Sequence, residues 1–137
     1  MLTLYRINTL YMDNAITEAR RYLDNARELL REKAKKEEGY YQDTKYVKLA
    51  GHAAYDGILV ALDSYLGKKD KGRKHVDWYK GQLSVLDRKL LTSFVAAYDT
   101  LHLSMSYDGN PSVKVAKAGL EDAETIITWI EKRVANA

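Results

Sequence analysis

Two pairs of side chains in this sequence have the types and spacing for chemistry. His52 and Asp56 stand four residues apart, and Asp99 and His102 three apart; on helices, either spacing puts both members of a pair on one face. Two imidazoles and two carboxylates brought together offer three alternatives. One is an open or tetrahedral site for zinc or iron. Another is a pocket for a small ligand, with Tyr55 and Tyr98 alongside. The third is a neutral interhelical hydrogen-bond network in which each carboxylate accepts from a histidine or tyrosine. Di-iron bundles use four carboxylates with two Glu-x-x-His units, and the sequence contains no such unit, so no metal ligand and no cofactor is assigned. No serine sits in a nucleophile elbow and no glycine-rich phosphate loop is present. With no cysteine, thiol nucleophiles, thiolate metal sites and disulfides are excluded. No catalytic residue is assigned. The network reading predicts that His52, Asp56, Asp99 and His102 meet inside the fold.

The formal charge is +3, and its location matters more than its size. Between Gly67 and His75 the chain carries Lys68, Lys69, Lys71, Arg73 and Lys74 against the single acid Asp70, which leaves the remainder at −1. Nucleic-acid binders spread basic groups over one face of a folded element, because each neutralised phosphate adds affinity. Here the excess sits in one short stretch with two glycines, which reads as a solvated connector. A weak phosphate contact through these five residues is the alternative.

The elements that must position these groups are helical. One proline, 15 alanines and 17 leucines in 137 residues favour helix. Ile16, Ala19, Leu23, Ala26 and Leu30 recur at steps of three and four, which predicts a first helix capped at Asp13 and ended by Gly39. A second, capped by Asp43 or Thr44, runs to Leu66 before Gly67; its small residues Ala50, Gly51, Ala53, Ala54 and Gly57 leave room for a close helix neighbour or for large aromatic groups. A short third helix covers 76–83. Ser84-x-x-Asp87 has the form of a capping box that opens a fourth, with Leu90, Phe94, Ala97, Leu101 and Met105 inward and Gly109 as the stop. Asn110-Pro111 opens a fifth, with Ala116, Leu120, Ala123, Ile127, Ile130 and Val134 inward. The expected fold is all-α, an up-and-down bundle of four long helices plus one shorter helix, in one domain over 1–137 with a segment 1–12 outside the pattern. No apolar run exceeds five residues, well short of the ~20 of a membrane-spanning helix. With no secretion signal in the first residues, a cytoplasmic location is expected.

Three stretches carry a resemblance: Arg21 to Leu30, Gly39 to Leu66, and Tyr98 to Gly109. Together they resemble a family of small helical domains of unknown function from Bacteroidetes. The second stretch also resembles HEPN-type bundles, which occur as nucleotidyltransferase partners and as ribonucleases and commonly dimerise. Ribonuclease members of that group carry an arginine four to six residues before a histidine. Neither His52 nor His102 has one in that window, and His75 follows Arg73 too closely, so the resemblance implies binding or assembly without nuclease activity. The partners it implies are a second copy of the chain and a nucleotidyltransferase-like protein. Tyr40, Tyr41, Tyr46, Tyr55, Tyr98 and Tyr107, six of 11 tyrosines, lie in or beside these stretches, suited to a core, a groove or an interface.

Overall fold

The structure, a computed structural model, describes residues 3–67, 69 and 71–135, with the backbone alone at 5, 8 and 9. Its elements in order are α1 (Leu4–Glu32), β1 (Lys36–Glu37), β2 (Tyr40–Tyr41), α2 (Thr44–Leu66), α3 (Val76–Ser84), α4 (Arg88–Ala97), a π-helical segment (Tyr98–Tyr107) that continues α4, and α5 (Val113–Ala135). Counted with its π continuation, α4 is one of four long helices, and α3 is the short one.

The inward stripes make the bundle. Ile16, Ala19, Leu23, Ala26 and Leu30 of α1 are buried, as are Val47, Ala50, Ala54, Ile58 and Leu62 of α2, Leu90, Phe94 and Ala97 of α4, Leu101 and Met105 of the π segment, and Ala116, Ala123, Ile127 and Ile130 of α5. Glycines set the helix separations. A Cβ on Gly57 would lie 2.9 Å from the Ala19 carbonyl oxygen of α1, and one on Gly119 of α5 would lie 2.7 Å from a Leu101 methyl. Of the two fillings open to the small-residue helix, the close neighbour is therefore present, on two sides: α1 at Gly57 and the π segment at Gly51. On the far side of α1, Arg20 reaches α5 and bonds Glu124 at 2.6 Å, Glu131 at 2.9 Å and the Thr128 hydroxyl at 3.2 Å.

Several boundaries differ from the sequence pattern, each for a local reason. Thr3, whose hydroxyl accepts from the Arg6 amide at 3.2 Å, caps α1, so Asp13 lies inside the helix and the described part of 1–12 is helical. After Glu32 the chain makes an antiparallel hairpin that the sequence pattern did not announce, because strands of two residues have no room for alternation. Gly39 (φ +86°) therefore sits in the hairpin rather than ending α1. Asp87 alone caps α4, accepting from the Leu90 amide at 2.9 Å; Ser84 closes α3, its hydroxyl bonded to the Gly81 carbonyl. Pro111 precedes α5 instead of opening it. Asn110 Oδ1 accepts from the Ser112 amide, and Ser112 Oγ from the Val115 amide.

Among the described residues no helix is long and apolar enough to cross a membrane.

Candidate functional site

The π-helical segment is where the sequence-predicted groups and the structure part company. In a π helix the backbone bonds run from i to i+5, which widens the turn; the Asp108 amide donates to the Leu103 carbonyl at 3.0 Å in this register. Residues three apart, one face in an α helix, then spread around the axis. Asp99 consequently points to solvent while His102 lies half-buried against α2.

Across the contact, the Tyr55 ring stacks on His102 with centroids 4.9 Å apart and an angle of 30°. Tyr98 completes the group at 6.0 Å from Tyr55 and 5.2 Å from His102. Tyr55 is 8% exposed, and burial, reinforced by the Tyr98 phenol and the Asp56 carboxylate, pushes its hydroxyl up. A phenol held protonated in this way offers apolar surface and a neutral hydrogen bond, and no base.

His52 and Asp56 do pair, Nε2 to Oδ2 at 3.2 Å, but at the surface, where the His52 side chain is 66% exposed. The expectation of one buried network of His52, Asp56, Asp99 and His102 is thus corrected. His52 and Asp56 form a solvated pair on the outer face of α2, Asp99 is exposed on the π segment, and His102 is held by rings. Among the described residues no three His, Cys, Asp or Glu side chains gather as a metal site.

The rings continue inward from Tyr55 to Phe94 (6.3 Å), Tyr79 (5.7 Å from Phe94) and Trp78 (5.1 Å from Tyr79). Tyr79 donates to Asp63 Oδ1 at 2.6 Å, and burial, with this bond added, raises its hydroxyl. Lys80 Nζ lies 5.8 Å over the Tyr98 ring. Trp78, Tyr79, Lys80 and Phe94 were not among the sequence candidates. Lys74 Nζ sits 4.8 Å over the Trp78 ring, and no sequence pattern announced this group.

The basic stretch divides in the structure. Lys68 lies outside the described residues. Lys74 bonds Asp63 at 3.1 Å and the Gly67 carbonyl, so it ties the connector to α2. Lys69 donates to the Arg73 carbonyl at 3.0 Å, and Lys71 and the Arg73 side chain are exposed. Two of the described cations are therefore engaged within the chain, which leaves little of the continuous positive face that phosphate tracking needs.

On the outer surface of the π segment stand Leu103, 38% exposed, and Tyr107, 77% exposed. Exposed Lys48 and His52 and half-exposed Asp56 line the α2 side. The apolar groups that this surface exposes are Leu103 and Tyr107, with charges of both signs on α2, while the Tyr55 ring belongs to the core.

Comparison with known proteins covers this whole face. A family profile described as a domain of unknown function (DUF5618) matches residues 14–132. The solved structure of a protein of unknown function from Dyadobacter fermentans is similar at 56% sequence identity and a TM-score of 0.86, over 88% of this chain and 97% of that one. No curated protein matches the chain.

Proposed function

We propose, for a chain that belongs to the DUF5618 family of domains of unknown function, a non-catalytic role in binding and assembly, in which the face made by α2 and the π-helical segment pairs with a second copy of the chain. The observation that carries this reading is the exposure of Leu103 and Tyr107 on the π segment. A tyrosine that becomes buried on association is among the side chains that contribute most to protein interfaces. The rim is suited to self-pairing. Lys48, His52 and Asp56 stand on α2 and Asp99 on the π segment, so a twofold axis between the two elements brings Asp99 of each copy towards a helix of the other that carries two bases and one acid.

The resemblance of residues 39–66 to HEPN-type bundles supports the same mode, and a nucleotidyltransferase-like protein is the further partner class that it implies. The chemistry of the face agrees with a role short of catalysis, because its phenol is held neutral and its imidazole–carboxylate pair is solvated and has no nucleophile beside it.

Light scattering at tens of micromolar tests this. The expected mass is twice the 15.7 kDa of the chain, falling to the single-chain mass in Tyr107→Asp with the helical circular-dichroism signal unchanged. A parent protein that stays monomeric at these concentrations, or a Tyr107→Asp variant that stays dimeric, overturns the reading.

A further inference from the structure

A second feature lies away from that face, between the C-terminal half of α1, the hairpin and the first half of α5. It is a hollow of about 290 Å³ lined by Arg27, Leu30, Arg31, Lys36, Tyr41 and Leu120, near the lower end of the range for small-molecule pockets. Its floor is apolar and its rim is cationic. Leu30 is buried and Leu120 and Tyr41 are half-buried, while three basic side chains from two separate elements converge on the opening.

We propose that this hollow binds a small organic phosphate monoester, with its apolar body on Leu30, Leu120 and the Tyr41 ring and its dianion among Arg27, Arg31 and Lys36. Three observations favour this ligand class. Arg31 uses Nε on Glu32 at 3.1 Å, which leaves the two terminal nitrogens of a planar fork suited to phosphate oxygens. Arg27 pairs with Asp24 at 3.4 Å and with Glu124 at 3.7 Å, contacts near the outer limit of an ion pair with which a bound dianion would compete. A dianion satisfies several cations at once where a carboxylate satisfies fewer.

The hairpin that supplies Lys36 and Tyr41 is fixed in place. The Tyr41 amide donates to the Pro111 carbonyl at 2.8 Å, and Lys35 and Glu38 hold φ values of +58° and +50°. Glu38 and Gly39, both at positive φ, are the two loop residues of a tight hairpin, the conformation such a turn requires. Burial also raises the Tyr41 hydroxyl, which keeps it a neutral donor beside the anion.

The test is a titration of the full chain with phenyl phosphate, followed by amide chemical shifts. Saturable shifts confined to the neighbourhood of Arg31, Tyr41 and Leu120 are expected, at about millimolar affinity. Inorganic phosphate, which lacks the apolar body, should bind at least about tenfold more weakly, as should benzoate, which lacks the second charge. Arg31→Gln with Lys36→Gln should weaken phenyl phosphate by about tenfold or more at an unchanged thermal midpoint. Lys36→Glu, at an exposed hairpin position, should do the same if the double variant folds poorly. Equal binding of inorganic phosphate, shifts scattered elsewhere in the molecule, or parent-like affinity in the variants overturns the assignment. The dimer measurement on Tyr107→Asp is independent of all these outcomes.

Discussion

Gly51 and Leu101 bring α2 and the π-helical segment together backbone to backbone: a Cβ on Gly51 would lie 2.6 Å from the Leu101 carbonyl oxygen and 2.7 Å from Met105 Cβ. Alanine ordinarily steadies a helix interior by ~1 kcal/mol relative to glycine, but here the backbones would have to separate. Gly51→Ala should destabilise the chain by ~1–3 kcal/mol. Gly81→Ala in α3, where a Cβ meets nothing within 4 Å, should stabilise it by ~0.4–1 kcal/mol. Denaturant midpoints of the two variants check both signs, and a parent-like Gly51→Ala would place the helices further apart.

Lys74 should be the one described cation of its stretch that matters to folding. It bridges Asp63 and the Gly67 carbonyl and covers Trp78, so Lys74→Met should cost ~1 kcal/mol. Lys71→Ser with Arg73→Ser should change stability by less than ~0.5 kcal/mol. Thermal melts of the two variants, side by side, decide whether the connector is latched at Lys74 or merely solvated.

The Arg20 clamp predicts a pH dependence of definite sign. The hydrogen bond from Arg20, more than any other influence, holds the Glu124 carboxyl below its ordinary value. A carboxylate that ionises more readily in the folded chain contributes stability that is complete above the unfolded pKa, ~4.3. That contribution is lost as pH falls through the lower folded value. The difference in thermal midpoint between the parent and Arg20→Met should therefore be constant from about pH 5.5 to 7 and shrink below about pH 4. A difference that persists undiminished at lower pH would mean that Arg20 acts through the packing of its stem.

Asp99→Ala should leave stability within ~0.5 kcal/mol of the parent, since the carboxylate is exposed and on the outer side of the π segment. His102→Ala should cost more, because it removes a ring stacked on a buried tyrosine. Reversal of this order, read from urea midpoints, would restore Asp99 to a packed network.

The bundle was legible because its stripes obey one period. Every position from Ile16 to Leu30 picked by steps of three and four is buried, and so are Ala54 and Ile58 of the small-residue helix. One polar pair, Asp99 and His102, was misread where the helix widens; the other, His52 and Asp56, shares a face of α2 as expected, but the outer one. From Ala97 to Leu101 to Met105 the buried positions step by four twice, but Ala50, Ala54, Ile58 and Leu62 do the same in the regular helix α2, so the spacing carried no sign of the wider turn. The hairpin was hidden for another reason: its strands are held by backbone bonds and by neighbours distant in sequence, which leave no pattern in two residues. The Arg20 clamp was equally silent, since its partners lie more than a hundred residues away.

The hairpin does more than shape one wall of a hollow. The Tyr41 amide bonds the Pro111 carbonyl, and the Val113 amide bonds the Gly39 carbonyl, so the connection between α1 and α2 is stitched to the connection that leads into α5. The two turns at that end move as one mechanical unit. A residue inserted beside Gly39 would be felt at the first turn of α5, whereas one inserted near Gly72 would disturb the bonds of that connector and its tie to α2 through Lys74. The chain is thus unevenly tolerant of length: a change at the hairpin end reaches two connections, and one between α2 and α3 reaches a single connection.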